Sequence, residues 1–82
     1  MYTVEFLEKL KTAKIPKQDY LKIREKAVLL AKDPRPRWSE KLKSRSSYRI
    51  SVGDYRVLYA VDDAKKQVVI QAIGHRKAIY KP

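Results

Sequence analysis

The residues that could do chemistry are Arg49, Arg56 and Arg76, and their spacing matters more than their number. From Tyr48 the chain alternates with period two. Tyr48, Ile50 and Val52 alternate with Arg49 and Ser51; beyond Gly53-Asp54, Tyr55, Val57, Tyr59 and Val61 alternate with Arg56, Leu58 and Ala60. Successive side chains of an extended strand point to opposite faces, so the pattern sets Arg49 and Arg56 on the face away from the apolar row. Arg76 follows Gly74-His75 and falls beside the end of the same sheet. Guanidiniums gathered on one face repel one another unless an anion sits there, and the planar fork of Arg matches a phosphate. The chemistry such a face offers is the binding of an anion.

Other side chains surround that face. His75 is the one imidazole in the chain, the side-chain type suited to proton transfer near neutrality, although a lone His after a strand also packs or caps. Lys41, Lys43 and Arg45 precede the hairpin and Lys77 follows His75 and Arg76; they are phosphate contacts or solvated charges, and cations of this kind position a nucleic acid without reading its sequence. Tyr80 can stack on a base or lie in the tail. Trp38 reads as a packing anchor under a loop rather than as a base platform. Tyr48, Tyr55 and Tyr59 lie on the apolar side, as core residues with hydroxyls near the rim.

Composition narrows the partners. The chain has 82 residues, with 20 Lys and Arg against 9 Asp and Glu, a formal net charge of +11 and a pI near 10.0. A polyanion relieves such self-repulsion: nucleic acid, an anionic membrane surface or an acidic protein. Cys is absent, which excludes a disulfide framework and a thiolate metal site, and a single His forms no His cluster for zinc. The reading is one domain, 1–82, with no cofactor and no metal. No apolar run approaches the roughly 18 residues of a membrane span, and Met1-Tyr2-Thr3-Val4-Glu5-Phe6 lacks the basic and apolar regions of a signal peptide. The expected location is the cytoplasm, with no membrane partner.

The elements that must position the arginines follow from the same pattern. Tyr2–Phe6 predicts a short first strand, and Leu7–Ala13 a short helix. Pro16 suits a helix start. Gln18–Lys32 predicts the main helix, with Tyr20, Ile23, Ala27 and Leu30 on one face and Leu21 and Val28 widening the stripe. Pro34 forces Asp33 out of helical geometry. Asp33–Ser47 reads as an ordered loop around Trp38 or Leu42. Gly53-Asp54 is a hairpin signal, and Asp62–Lys66 a polar turn. Val68–Ile73 is apolar on both faces, so it reads as a central strand ended by Gly74. The expected fold is α+β: an N-terminal strand and two helices, then a three-stranded antiparallel meander, one sheet packed on the helices.

The segment Tyr48-Arg49-Ile50-Ser51-Val52-Gly53-Asp54-Tyr55-Arg56-Val57-Leu58-Tyr59, with Gly74-His75-Arg76-Lys77 and a final Tyr80, resembles the RelE branch of the RelE/ParE superfamily of type II toxin–antitoxin systems. Lys41-Leu42-Lys43 is similar to that family's Lys-Leu segment before the hairpin. The likeness is strong in the C-terminal half; the N-terminal half matches in element order and helix length.

The resemblance implies a ribosome-dependent mRNA endonuclease, an mRNA interferase. Such a toxin enters the ribosomal A site, and the 2′-hydroxyl of the mRNA attacks the adjacent phosphate without a metal. It also implies an acidic, partly disordered antitoxin similar to RelB, through which alone the complex would contact operator DNA. Carried over by motif, Arg56 stabilises charge on the scissile phosphate, Arg76 binds phosphate and protonates the leaving group, and Tyr80 stacks on or orients a nucleotide. Arg49, Lys41, Lys43, Arg45, His75 and Lys77 are RNA-binding candidates. Ser51 departs from the pattern: better-known members carry Lys or Arg there, the Lys being a proposed general base, and a Ser hydroxyl is no base at neutral pH. Two alternatives stay open. One is a ParE-like inhibitor of DNA gyrase; the other is a catalytically weakened module of the same fold that binds RNA and antitoxin.

Overall fold

In the computed structural model, residues 1–7, 15–43 and 47–76 are described. Strand β1 (Thr3–Phe6) is followed by helix α1 (Lys17–Ala27), which tightens into a 3₁₀ turn over Val28–Ala31. Strands β2 (Ser39–Lys41), β3 (Ser47–Val52), β4 (Tyr55–Asp62) and β5 (Gln67–His75) complete the described elements. The expected helix at Leu7–Ala13 lies almost wholly outside the described residues, and α1 is the α-helix found among those described.

The sheet corrects the expected three-stranded meander. It has five strands in the order β1-β5-β4-β3-β2. The β3–β4–β5 meander is present and antiparallel, but β1 pairs parallel with β5 and β2 adds an antiparallel edge on β3. Neither addition follows from local pattern. Parallel pairing joins segments distant in sequence, and Ser39-Glu40-Lys41 carries no β-former; Ser39 and its neighbours extend because Ile50, Arg49 and Tyr48 offer an open ladder.

β5 is central, between β1 and β4, as its two apolar faces require. It runs through Gly74 to His75, so Gly74 lies within the strand rather than ending it. The β4–β5 register slips between Leu58 and Tyr59: Leu58 pairs with Ala72 and Tyr59 with Ile70, which leaves Gln71 as the extra residue of a β-bulge. A one-residue slip exchanges faces. The bulge therefore turns Ile73 inward opposite Val57 and puts Gly74 opposite Arg56.

The core lies between the sheet and α1. Ile23, Ala27 and Leu30 from the helical segment meet Tyr48, Ile50, Val57, Tyr59, Val61, Val68 and Ile70. Burying one such aliphatic or aromatic side chain contributes about 1.5–3 kcal/mol. The stripe Tyr20, Ile23, Ala27, Leu30 is the inward face as expected, but Leu21 and Val28 do not widen it: both are exposed, as is Leu29. The α-helix stops at Ala27 because the following residues adopt 3₁₀ spacing, which rotates Val28 and Leu29 outward.

The loop after the helix is anchored by neither Trp38 nor Leu42. Pro34 and Pro36 are buried while Trp38 is exposed, and the buried Tyr59 hydroxyl donates to the Pro34 carbonyl at 2.7 Å. The Ser39 amide and hydroxyl both donate to the Pro36 carbonyl, at 2.9 and 2.7 Å, closing a turn that leads into β2. Arg35, in sequence one cation among several, is the hub of this region. It bonds Tyr48 Oη through Nε at 2.9 Å and Asp63 through Nη2 at 2.6 Å, and Tyr2 donates its hydroxyl to the same Asp63. The loop is thereby tied to β3, to the turn between β4 and β5, and to the N-terminus.

Candidate functional site

The β3–β4 turn sets the position of Arg56. Val52 and Tyr55 close a two-residue turn at Gly53-Asp54. Gly53 has φ +58° at its first central position, where a type II′ turn calls for Gly. Because Tyr55 and Val57 face the helix side, Arg56 faces the other side. There it stands across from Ser51 on β3 and from Gly74 on β5. Its Nη1 donates to the carbonyls of Tyr55 at 2.9 Å and Gly53 at 3.2 Å, so the guanidinium rests on the turn.

The 74–76 segment is knitted to the same turn. His75 is the register partner of Tyr55, with the rings edge-on at 6.1 Å. The Arg76 amide donates to the Asp54 carbonyl at 2.8 Å. Segments twenty residues apart in sequence are thus held together by backbone pairing, with Arg56 half-buried and Arg76 exposed. Tyr55 is fixed from the helix side: its hydroxyl donates to Asp19 Oδ2 at 3.0 Å. That bond, then desolvation, pushes the Tyr55 phenol above its usual range. Asp19, Lys22, Val52, Gly53, Asp54, Tyr55 and His75 line a cavity of about 350 Å³ on this side of the hairpin.

The remaining candidates divide. Arg49 lies on the same face as Ser51 and Arg56, and pairs with Glu40 across β2–β3. Lys41 does not join them. It is in register with Tyr48, on the helix side, with its ammonium 5.3 Å from the Tyr48 ring centroid. A loop would have allowed it to turn to the arginine face; the edge strand does not. Lys43 is exposed just beyond β2. Arg45, Lys77 and Tyr80 lie outside the described residues. Among the described residues no helix is long and apolar enough to cross a membrane.

The chain matches, over residues 1–80, the sequence model of the family described as ParE toxin of type II toxin–antitoxin system. Similar solved structures include the isolated RelE toxin of E. coli, with TM-score 0.78 and 25% identity over 92% of this chain and 84% of that one. The Mycobacterium tuberculosis RelBE2 toxin–antitoxin complex aligns with TM-score 0.77 and 30% identity, covering 92% and 98% of the two chains. The archaeal RelE–RelB complex of Pyrococcus horikoshii aligns with TM-score 0.79 and 29% identity, covering 94% and 97%. No curated protein sequence matches. The chain belongs to the RelE/ParE superfamily of type II toxin–antitoxin toxins, with a RelE-like fold.

Proposed function

We propose that the chain, acting as one domain over residues 1–82, is a ribosome-dependent mRNA endonuclease of the cytoplasm, held inactive by an acidic antitoxin similar to RelB. The observation that carries this reading is the joining of the Arg56 turn to the Arg76 segment through the Arg76–Asp54 backbone bond and the Arg56–Gly74 pairing. Guanidiniums on two tethered segments suit the in-line attack of a 2′-hydroxyl on the next phosphate. Charge builds on the phosphate oxygens as the leaving oxygen departs, and fixed cations stabilise that charge more than the ground state. In this scheme Arg56 holds the scissile phosphate, Arg76 assists the leaving group and Tyr80 stacks on a neighbouring base. Arg49, Lys43, Arg45, His75 and Lys77 contact the RNA or its phosphates; Lys41, on the other face, steers only through its charge.

The register partner of Arg56 is Ser51, whose neutral hydroxyl is no strong base. Catalysis then rests on positioning and electrostatics, and the ribosome supplies the positioning of the mRNA. The test is primer extension on mRNA in programmed ribosomes. The wild type should cut in the A site, and naked RNA should be cut poorly. Arg56→Ala and Arg76→Ala should each lower the single-turnover rate by about a hundredfold or more, the scale of one lost oxyanion donor. Arg56→Lys should recover part of the rate, and Tyr80→Ala should cost less than either Arg. Efficient metal-free cutting of naked RNA would overturn this reading.

The match to the ParE family model supports a second reading, inhibition of DNA gyrase without chemistry on RNA. Loss of gyrase supercoiling on addition of the chain, with programmed ribosomes left uncut, would establish it instead.

A further inference from the structure

The turn before β2 presents a partly exposed aromatic side chain. Trp38 is 42% exposed, in a turn whose Pro36 is buried and whose Pro36 carbonyl is held by Ser39. Lys26 reaches from α1 with its ammonium 4.9 Å from the centre of the Trp38 ring, and the same ammonium donates to the Ser51 carbonyl at 2.8 Å. The ring is therefore pinned beside Ser51. Ser51 is in turn the register partner of Arg56 across β3–β4. The Lys26 ammonium thus links the Trp38 ring to the strand residue that faces Arg56. Exposed Arg37 precedes the ring in the same turn.

We propose that Trp38 is a stacking platform for an unpaired RNA base adjacent to the phosphate held at Arg56. The proposal rests on the RNA reading above and adds a base-contacting residue to it. A flat, immobilised indole takes any base on its π-face, and stacking of this kind is sequence-tolerant. Pinning by Lys26 removes part of the ordering that binding would otherwise require. Arg37 in the same turn and Arg56 across from Ser51 bring an RNA backbone rather than an acidic helix to this edge, because an unpaired base is the partner that needs both a flat ring and a nearby phosphate contact.

Trp38 is the chain's only tryptophan, so its fluorescence reports this site directly. The experiment titrates the full chain with a labelled single-stranded RNA decamer, following label anisotropy and tryptophan emission together. An abasic oligomer of the same length and charge is the control. RNA should bind and quench Trp38, whereas the abasic oligomer should bind more weakly without quenching. Trp38→Ala should weaken RNA binding by about five- to a hundredfold, the span for one lost base–aromatic stack. The slope of log affinity against log salt should stay unchanged, since no phosphate contact is removed. Trp38→Phe should recover part of the affinity. Arg56→Ala should instead reduce the slope by about 0.7 while the quench remains. If RNA binds with neither quenching nor a Trp38→Ala effect, the platform is refuted and the RNA reading stands. If RNA does not bind at all, the platform is refuted, and the RNA reading is decided by cutting on programmed ribosomes. If Trp38→Ala weakens capture of a Glu-rich peptide but not of RNA, the ring serves a protein partner and the platform is refuted.

Discussion

Ser51 and Arg56 face each other as register partners across the β3–β4 hairpin, on the sheet face away from the helix. The position where the resemblance implies a basic residue is thus beside the arginine proposed to hold the phosphate. Ser51 is exposed, and its carbonyl rather than its hydroxyl is engaged, by Lys26. Ser51→Ala should leave single-turnover cutting on programmed ribosomes within about twofold of wild type, since a neutral hydroxyl supplies neither charge nor a base near pH 7. Ser51→Lys should raise the rate: Arg56 alongside would depress the amine's pKa toward a useful value. Abolition of cutting by Ser51→Ala, with Arg56→Ala active, would require a different site.

Gly53 sets the turn on which the Arg56 guanidinium rests. An added Cβ would meet nothing within 4 Å, but φ is +58°, so the cost of Gly53→Ala is one of backbone conformation alone, about 1–2 kcal/mol. Thermal unfolding should show a drop of several degrees, while Gly53→Asn, which tolerates this region better, should lose less. An alanine variant as stable as the wild type would mean that the turn relaxes to another type.

The Tyr59 hydroxyl ties the sheet to the loop carrying Trp38 by its bond to Pro34 at 2.7 Å, inside the core. Tyr59→Phe keeps the ring and strands a buried carbonyl, at a cost of about 1–3 kcal/mol. For a chain of this length the melting temperature should fall by roughly 4–8 °C per kcal/mol. A change below one degree in calorimetry would mean that Pro34 finds another donor.

The Asp63 carboxyl is held below its ordinary range by the hydrogen bond from Tyr2 first and by Arg35 second. A folded-state pKa below the unfolded value, about 3.9, means that the stability it contributes is fully present above that value. It is lost as pH falls through the lower, folded value. Asp63→Asn should therefore melt earlier than wild type at pH 7, with the gap closing in acid below about pH 4. A gap independent of pH between 7 and 3 would show that the network is not ionic.

Local pattern was sufficient for the hairpin, the inward stripe of α1 and the central place of β5, because each depends on the side-chain period of one segment and on which face is apolar. It also placed Arg49, Ser51 and Arg56 on one face. It misplaced Lys41, because a three-residue edge strand is stabilised by the ladder it joins rather than by its own propensity. Trp38 carried a composition signal for burial, but burial depends on what packs above a residue, and here Pro34 and Pro36 occupy the interior first.

The sequence by itself determined the period-two alternation, the charge excess and the turn residues, hence a cationic sheet face and a self-repulsion that a polyanion would relieve. Only the tertiary structure decided the parallel docking of β1 on β5, the β2 edge and the phase of β5. That phase turns on one unpaired residue, Gln71. Without the bulge the register of Tyr59 with Ile70 would continue unshifted, and Ile73 rather than Gly74 would face Arg56. Period-two patterning cannot locate such a slip when both faces of a strand are apolar, because either phase buries apolar surface. The packing of Ile73 inward, opposite Val57, accompanies the phase that leaves Gly74 opposite Arg56 and brings the Arg76 amide to Asp54.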